Sequence, residues 1–356
     1  MRAAIVGTGF WAGYAYVPAL RAIADMELVA CVSRSEEGAR RFAGEHGIPA
    51  TYPSLDGLIA SSVRPDLIVI AGPDDMHPPA AMAVIDAGIA VFCEKPLANR
   101  ADTARSMADR ASREAVPNTV GYSFRYSPAI GALRADIEDG TLGEPWLMEI
   151  SEYNAQFHPQ LGKPMNWKGD PDKAKAGALF EYGSHAVDLA DWLIGPITAV
   201  STALARVLPD ARLDDIATLQ FRGRPPSIGV LIAAWVLSGS IPGIRVRLHG
   251  SRGLAEAELS QALPGGEAYR RYSLDGTIRE EVPIEALGDS GSAYARRHLA
   301  DFVATIDDEG GATSATLPTF ADGARIQRIL QTALEATDGW MEVEASAPGP
   351  QKRRLR

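Results

Sequence analysis

The first twelve residues constrain this chain more than any other stretch. Met1-Arg2-Ala3-Ala4-Ile5-Val6 reads as a strand, and Gly7-Thr8-Gly9-Phe10-Trp11-Ala12 follows at once and opens a helix. The turn fits the G-x-G-x-x-G/A form. Gly7 permits the tight bend, Gly9 lets backbone approach a pyrophosphate, and Ala12 keeps helix and strand close. The amides around Thr8, Phe10 and Trp11 then lie at a helix start, where unpaired N–H groups attract phosphate. Glycine pairs also occur in plain tight turns. It is the strand–turn–helix setting that points to a bound dinucleotide.

Apolar runs and helical stretches alternate as far as about residue 122. Residues 27–32, 66–71, 89–93 and 119–122 read as strands, and helices are expected over 13–23, 36–45, 54–61, 79–87 and 100–114. Pro18 fits the first helix poorly, whereas Gly88 stands just past the fourth as a C-terminal stop. Strands this uniformly apolar, separated by helices, imply a parallel sheet covered on both faces. The pattern then changes. A helix over 128–139 leads to an alternating segment at 146–153, a polar loop over 156–177 and a helix over 183–193. Strands are expected at 198–207, 214–221, 228–237, 244–249 and 253–259, with Asp275-Gly276 as a hairpin turn between two more polar strands. Strands in a run read as an antiparallel sheet. Two helices, near 293–307 and 319–336, close the chain. The division expected is a dinucleotide-binding domain over 1–122, a second domain over 123–342 and a disordered tail over 343–356.

Composition excludes some partners. The chain has 356 residues and a formal net charge of −10, so it lacks the broad positive field that nonspecific nucleic-acid binding needs. Lysines 163, 168, 173 and 175 nonetheless crowd one segment. No apolar run approaches the ~18–20 residues of a membrane span, and the N-terminus enters a strand with no cleavable signal pattern. The two cysteines, Cys31 and Cys93, lie inside apolar strands and make no disulfide framework. A cytoplasmic setting is the expectation.

The second strand ends in Cys31-Val32-Ser33-Arg34-Ser35. An acidic residue there would bond the ribose 2′-hydroxyl of NAD, whereas Ser33 and Arg34 suit a 2′-phosphate. NADP(H) is therefore favoured over NAD(H), unless Arg34 only stacks on adenine. The third turn, Ala71-Gly72-Pro73-Asp74-Asp75-Met76-His77, is rigid and stands at the same sheet edge. Ala71, Pro73, Asp74 and His77 are placed to line the dinucleotide, with packing at a helix start as the alternative for His77.

Two clusters can carry chemistry. The strand at 89–93 delivers Glu94 and Lys95, followed by Pro96, to its carboxyl end. Ligands of open α/β sheets bind outside such ends. A lysine partly desolvated there can polarise a substrate oxygen; the alternative is an exposed side chain at a strand exit. Further on, Glu181, His185 and Asp188 are spaced four and three apart, which places them on one helix face. His185 can exchange a proton with an alcohol near neutral pH, and a carboxylate beside it can fix its tautomer. The alternative is a satisfied core histidine. No second histidine or cysteine at ligand spacing supports a metal.

Taken in order, Gly7–Ala12, Glu94-Lys95-Pro96, Gly121-Tyr122-Ser123-Phe124-Arg125-Tyr126-Ser127-Pro128 and Glu181…His185…Asp188 resemble the Gfo/Idh/MocA family (glucose–fructose oxidoreductase, inositol dehydrogenase and rhizopine catabolism), over nearly the whole chain. The resemblance implies an α/β protein: an N-terminal Rossmann domain and a C-terminal α/β domain with a large, mostly antiparallel open sheet that commonly serves oligomerisation. It places the family's lysine at Lys95 and its catalytic histidine at His185. The family's usual Asp, four residues earlier, falls on Glu181, which is a departure. Arg125 matches an arginine near the nicotinamide pocket, and Asn166-Trp167-Lys168 resembles a loop near cofactor and substrate.

The function expected is hydride transfer between nicotinamide and a secondary alcohol or ketone of a sugar, cyclitol or sugar derivative. Lys95, His185 and Glu181 would carry the chemistry. Tyr122, Asn166, Trp167, Tyr182 and Asp188 would join them at a polyhydroxylated substrate, in a homodimer or homotetramer built through the second sheet. Three alternatives stay open. One is an NADPH-dependent reductase of a keto-sugar nucleotide or anhydro sugar. Another is a non-catalytic NADP-binding redox sensor. The third is an amino- or 2-oxo-acid dehydrogenase with Arg125 as carboxylate clamp.

Overall fold

The computed structural model describes residues 1–344 apart from 166, 173, 175, 239–242, 261–262, 286, 288–289 and 308–313. Six strands form the first sheet: β1 (Arg2–Val6), β2 (Glu27–Val32), β3 (Ala50–Tyr52), β4 (Leu67–Ile70), β5 (Ala90–Cys93) and β6 (Asn118–Val120). All its pairings are parallel, in the order β3-β2-β1-β4-β5-β6. The order runs outward from β1 on one side and from β4 on the other, so a crevice opens at the carboxyl ends of these two strands. Every residue of β4 and β5 is buried, as a sheet covered on both faces requires.

Helices α1 (Val17–Arg21), α2 (Glu36–Glu45), α3 (Leu55–Ile59), α4 (His77–Asp86) and α5 (Ala101–Arg113) connect these strands. The helix expected over 13–23 is found over residues 10–21, with the wider π-helical turn Ala12–Tyr16 inside it, followed by α1. That turn puts Pro18 in the opening residues of α1. The short edge strand β3 escapes sequence analysis because Ala50–Tyr52, an exposed Thr51 between two half-buried neighbours, is too short to carry a periodic signal.

The second sheet has nine strands: β7 (Pro145–Tyr153), β8 (Ala199–Ala205), β9 (Ile216–Arg222), β10 (Ile228–Ala234), β11 (Gly243–Gly250), β12 (Gly253–Ser260), β13 (Glu267–Tyr272), β14 (Ile278–Val282) and β15 (Met341–Glu342). They lie in the order β14-β13-β12-β11-β7-β10-β9-β8-β15. Every pairing is antiparallel except β7 with β10. Helices α6 (Pro128–Glu138), α7 (Ala178–Glu181) and α8 (Gly183–Ile194) precede or interrupt these strands. Burial alternates residue by residue along β7, β9 and β10, so one face is covered and the other open.

The last two helices, α9 (Ser290–Asp307) and α10 (Phe320–Glu335), return to the first sheet. Ala295, Leu299 and Phe302 of α9 share one core with Ala3 and Ile5 of β1, Tyr16 and Phe92. A layer that covers the nucleotide-binding sheet thus comes from the far end of the chain. The tail also begins later than residue 343. Val343 is buried and its amide donates to Thr198 O at 2.8 Å, while Glu344 pairs with Arg328 at 2.8 Å. The rest of the expected tail, 345–356, lies outside the described residues. No helix among the described residues is long and apolar enough to cross a membrane. Cys31 and Cys93 are free and buried.

If α9 covers the first sheet, Phe302→Ala should cost about 3–5 kcal/mol, the range for emptying a buried aromatic site. Urea unfolding followed through the first domain would measure it, and a loss under 1 kcal/mol would contradict this role for α9.

Candidate active site

The nucleotide crevice is built on Gly7. Its φ is +98°, its amide donates to Val32 O at 3.0 Å, and a Cβ there would stand 2.8 Å from the backbone of Ala71 and Gly72. Only glycine lets the three turns close together. A Cβ on Gly9, in contrast, would meet nothing within 4 Å. That open space, at a helix start, fits the approach of a pyrophosphate. Beside it lies a cavity of about 520 Å³ lined by Gly7, Thr8, Ser33, Arg34, Ser35 and Pro73, among others. The residues present therefore fit a dinucleotide. Phe10 is exposed and stacks on Tyr14 at 5.2 Å.

Glu94 ties this turn to the next strand. Its carboxylate accepts from Trp11 Nε1 at 2.8 Å, from the Tyr16 hydroxyl, and from the Lys95 amide at 2.9 Å. Gly121 leaves room for it, because a Cβ there would meet the Glu94 carboxylate at 3.0 Å. Trp11 and Glu94 therefore hold each other. His77 is a correction to the sequence reading. It is fully buried, and its ring nitrogens lie 2.8 Å from Pro96 O and 3.0 Å from Gly72 O. It pins the third turn to the segment after Lys95 and does not face a cofactor.

Past Glu94 the two domains meet through charge. Lys95 Nζ donates to Glu181 O at 2.9 Å and lies 3.3 Å from Glu181 Oε2, while Lys168 Nζ bonds Glu181 Oε1. Glu181 ends α7, and His185 stands in the first turn of α8. Burial works against ionisation of Glu181, but the two ammonium groups outweigh it and hold the carboxyl well below its usual range. Burial likewise opposes the charge of Lys95, and the surrounding carboxylates, Glu181 foremost, raise it above its ordinary value. His185 goes the other way. Burial, then the charge of Lys95, push its imidazole well below 6.5. A permanent ammonium and a neutral imidazole thus share Glu181 as neighbour. Asp74 faces the same cluster. Its carboxyl is raised to about 8 by burial first and by Glu181 next, with Lys95 and Lys168 pulling the other way.

The shared helix face read from Glu181, His185 and Asp188 is split. The helix is interrupted at Tyr182, and Asp188 turns inward to Arg125 with two hydrogen bonds, at 2.9 and 2.5 Å. Both side chains are almost wholly buried. The guanidinium of Arg125 and the carboxylate of Asp188 are thus engaged with each other, and Asp188 makes no hydrogen bond to His185 among the described residues. His185 Nδ1 is buried with no hydrogen-bond partner among the described residues. The imidazole is held by packing: the Phe124 ring lies 4.4 Å from it, and Tyr122 stands edge-on at 6.2 Å. Tyr122 is 1% exposed, and its ring is part of the packing around His185. Tyr182 is half-buried, its hydroxyl accepting from Asn154 at 2.7 Å and donating to Gln156 at 3.1 Å. Trp167 opens a 3₁₀ turn, Trp167–Gly169. Asn166, Lys173 and Lys175 lie outside the described residues. Lys168 and Glu152 escaped the list of candidates. Lys168 adjoins a motif already singled out. Glu152 breaks the apolar alternation Met148, Ile150 in β7, and that break was the available signal.

A buried pair broken by removing one partner leaves an uncompensated charge, at a cost of about 3–5 kcal/mol. Arg125→Met should destabilise the fold by that amount in urea unfolding, and adding Asp188→Leu should recover most of it. A single-variant loss no larger than that of the double variant would refute the pairing as a structural element.

Residues 1–122 match the model of the Gfo/Idh/MocA oxidoreductase family, NAD-binding Rossmann fold, and residues 130–256 match its C-terminal domain. The chain is 27% identical over 347 residues to levoglucosan dehydrogenase of Pseudarthrobacter phenanthrenivorans, covering 86% of both chains. It is 35% identical over 337 residues to a protein proposed as the UDP-kanosamine synthase oxidoreductase subunit of Amycolatopsis mediterranei, covering 87% of this chain and 89% of that one. The crystal structure of an oxidoreductase domain protein from Kribbella flavida superimposes with a TM-score of 0.85 at 25% identity, covering 96% of this chain and 99% of the other. With both of its domains matched in order along one polypeptide, this chain belongs to the Gfo/Idh/MocA family of oxidoreductases and carries its NAD(P)-binding fold.

Proposed function

We propose that the protein transfers a hydride between the nicotinamide of NADP(H) and a secondary carbinol carbon of a sugar, cyclitol or sugar derivative. The observation that carries this reading is the meeting of Lys95, Glu181 and His185 at the carboxyl end of β5, beside the glycine turn. When bound, the nicotinamide accepts the hydride in oxidation and supplies it in reduction. The chain's own residues do the rest. His185, neutral and with its Nδ1 inside the protein, takes the hydroxyl proton at Nε2. Lys95 spends its donors on Glu181 O and Oε2, which leaves one N–H for the same substrate oxygen. That N–H stabilises the charge developing as the proton leaves. Glu181 keeps the ammonium charged and aimed; its extra methylene relative to the family's usual Asp is taken up by the second lysine, Lys168.

NADP(H) is favoured because Arg34 is exposed at the cavity rim while Glu36, the nearest acid, is engaged with Arg40. Ser35 is committed to capping α2 through Gly38 N at 3.1 Å, which leaves Ser33 and Arg34 for a 2′-phosphate. Self-association through the open face of the second sheet is part of the same reading. Ile228, Val230 and Ile232 of β10 expose 52%, 37% and 38% of their surface there, a stripe suited to a second copy. Reduction of a keto-sugar nucleotide is a second reading, favoured by the 35% identity to the kanosamine-pathway relative. It differs in substrate and direction and uses the same residues.

Either His185→Ala or Lys95→Ala should lower kcat by about 10²–10⁴-fold while NADP(H) affinity holds. Absorbance at 340 nm across a panel of anhydro sugars, aldoses and cyclitols gives the readout. The acid limb of kcat/KM in the oxidation direction should fall below 6.5, because His185 stays neutral down to there. Wild-type turnover in either variant removes the assignment.

Arg34→Ala should raise KM for NADP by roughly 10- to 100-fold, the worth of a charge-assisted contact, and leave KM for NAD unchanged. Equal effects on both cofactors would contradict a phosphate-binding Arg34.

A further inference from the structure

Glu152 occupies a position that the strand pattern reserves for a core residue. Met148, Ile150 and Glu152 share the covered face of β7, and the first two are wholly apolar. The residues paired with Glu152 across the sheet are Ala233 on β10 and Ile244 on β11, 0% and 1% exposed. Neither offers a hydrogen bond. Glu152 itself is 8% exposed, and its Oε2 is buried with no partner among the described residues. A carboxyl in such surroundings is ordinarily paired or replaced by an apolar side chain.

The side chain lies within reach of the reacting cluster. Lys95, Glu181 and Lys168 all act on its charge, yet none of them closes an ion pair with it among the described residues. Just past the end of β7, Asn154 bonds the hydroxyl of Tyr182, the residue after Glu181. Burial drives the Glu152 carboxyl toward its neutral form. A neutral carboxyl both donates and accepts, which matches a sugar or cyclitol hydroxyl better than it matches an ion.

We propose that Glu152 is a specificity-determining residue whose unpartnered carboxyl, presented from the second sheet, holds one hydroxyl of the substrate while Lys95 and His185 hold the reacting one. The proposal rests on the reading of the site as a polyol oxidoreductase and names a second point of attachment for that substrate. A two-point grip on one ring fixes which carbinol carbon meets the nicotinamide.

The test uses the full-length protein, NADP, the best polyol of the panel and its monodeoxy derivatives. Glu152→Leu suits the apolar neighbours and should fold. It should lower kcat/KM by about 10- to 100-fold, mostly through KM, with cofactor affinity unchanged. Wild type should lose a similar factor on one monodeoxy derivative, and the Leu variant should be indifferent to that deletion. A general packing defect would not single out one hydroxyl. Glu152→Met, close in volume, carries the same comparison where the Leu variant does not fold. A variant with wild-type KM and the wild-type ranking of deoxy derivatives overturns the proposal and leaves the parent reading intact. Absence of any polyol-dependent change at 340 nm in the wild type overturns both.

Discussion

Glu181 is the group on which the electrostatics of the cleft depend, because it is ionised where an isolated carboxylate would not be. Burial alone would drive it neutral, since an unpaired charge in a low-dielectric interior is far costlier than a protonated acid. Two ammonium groups reverse this, one from each side. Lys95 arrives from the end of β5 in the first sheet, and Lys168 from a loop of the second domain. The carboxylate therefore joins the nucleotide-binding half to the substrate-facing half and sets the protonation of its neighbours. Lys95 stays charged because of it, and His185 is kept neutral by burial and by Lys95 despite it. An ammonium held in its charged form beside an imidazole held in its neutral form suits the oxidation direction of the proposed reaction, the one to steady an alkoxide and the other to take its proton.

The second inter-element ion pair has a different character. Arg125 and Asp188 are bidentate and buried, and they offer nothing to a ligand. Their work is positional. Asp188 lies on α8 one turn after His185, and Arg125 lies in the segment that also supplies Phe124, the ring packed on the imidazole. The pair locks α8 to that segment and so fixes where His185 points. An imidazole whose Nδ1 lacks a partner has no hydrogen bond to orient it. Aromatic packing backed by a buried salt bridge takes over that task.

Much of this could be read from the chain before it folded. The glycine turn, the uniformly apolar strands and the Glu-Lys-Pro exit are local signals, and each stands where the pattern placed it. Lys95 and Glu181, 86 residues apart, meet as the motif resemblance implied. What failed was non-local. His185 and Asp188 do lie on one continuous helix, but nothing in their spacing shows that Asp188 is taken by Arg125, 63 residues away. His77 carries a polar label, but the backbone carbonyls of Gly72 and Pro96 consume both its nitrogens. The docking of α9 on β1 joins the two ends of the chain, and no periodicity encodes a contact of that range.

Among the described residues, Glu152 Oε2 and His185 Nδ1 are buried without hydrogen-bond partners and both feel the charge of Lys95, while others, such as Thr202 Oγ1 and the Gln327 amide, lie elsewhere in the fold. Each such group costs about 1–3 kcal/mol relative to a paired one. Together they amount to a sizeable fraction of a typical domain's net stability of roughly 5–15 kcal/mol. A fold that satisfied Glu152 internally would be more stable and would leave that carboxyl nothing to offer a polyol. The cost of leaving the Glu152 carboxyl unpaired is the one that a bound hydroxyl would relieve.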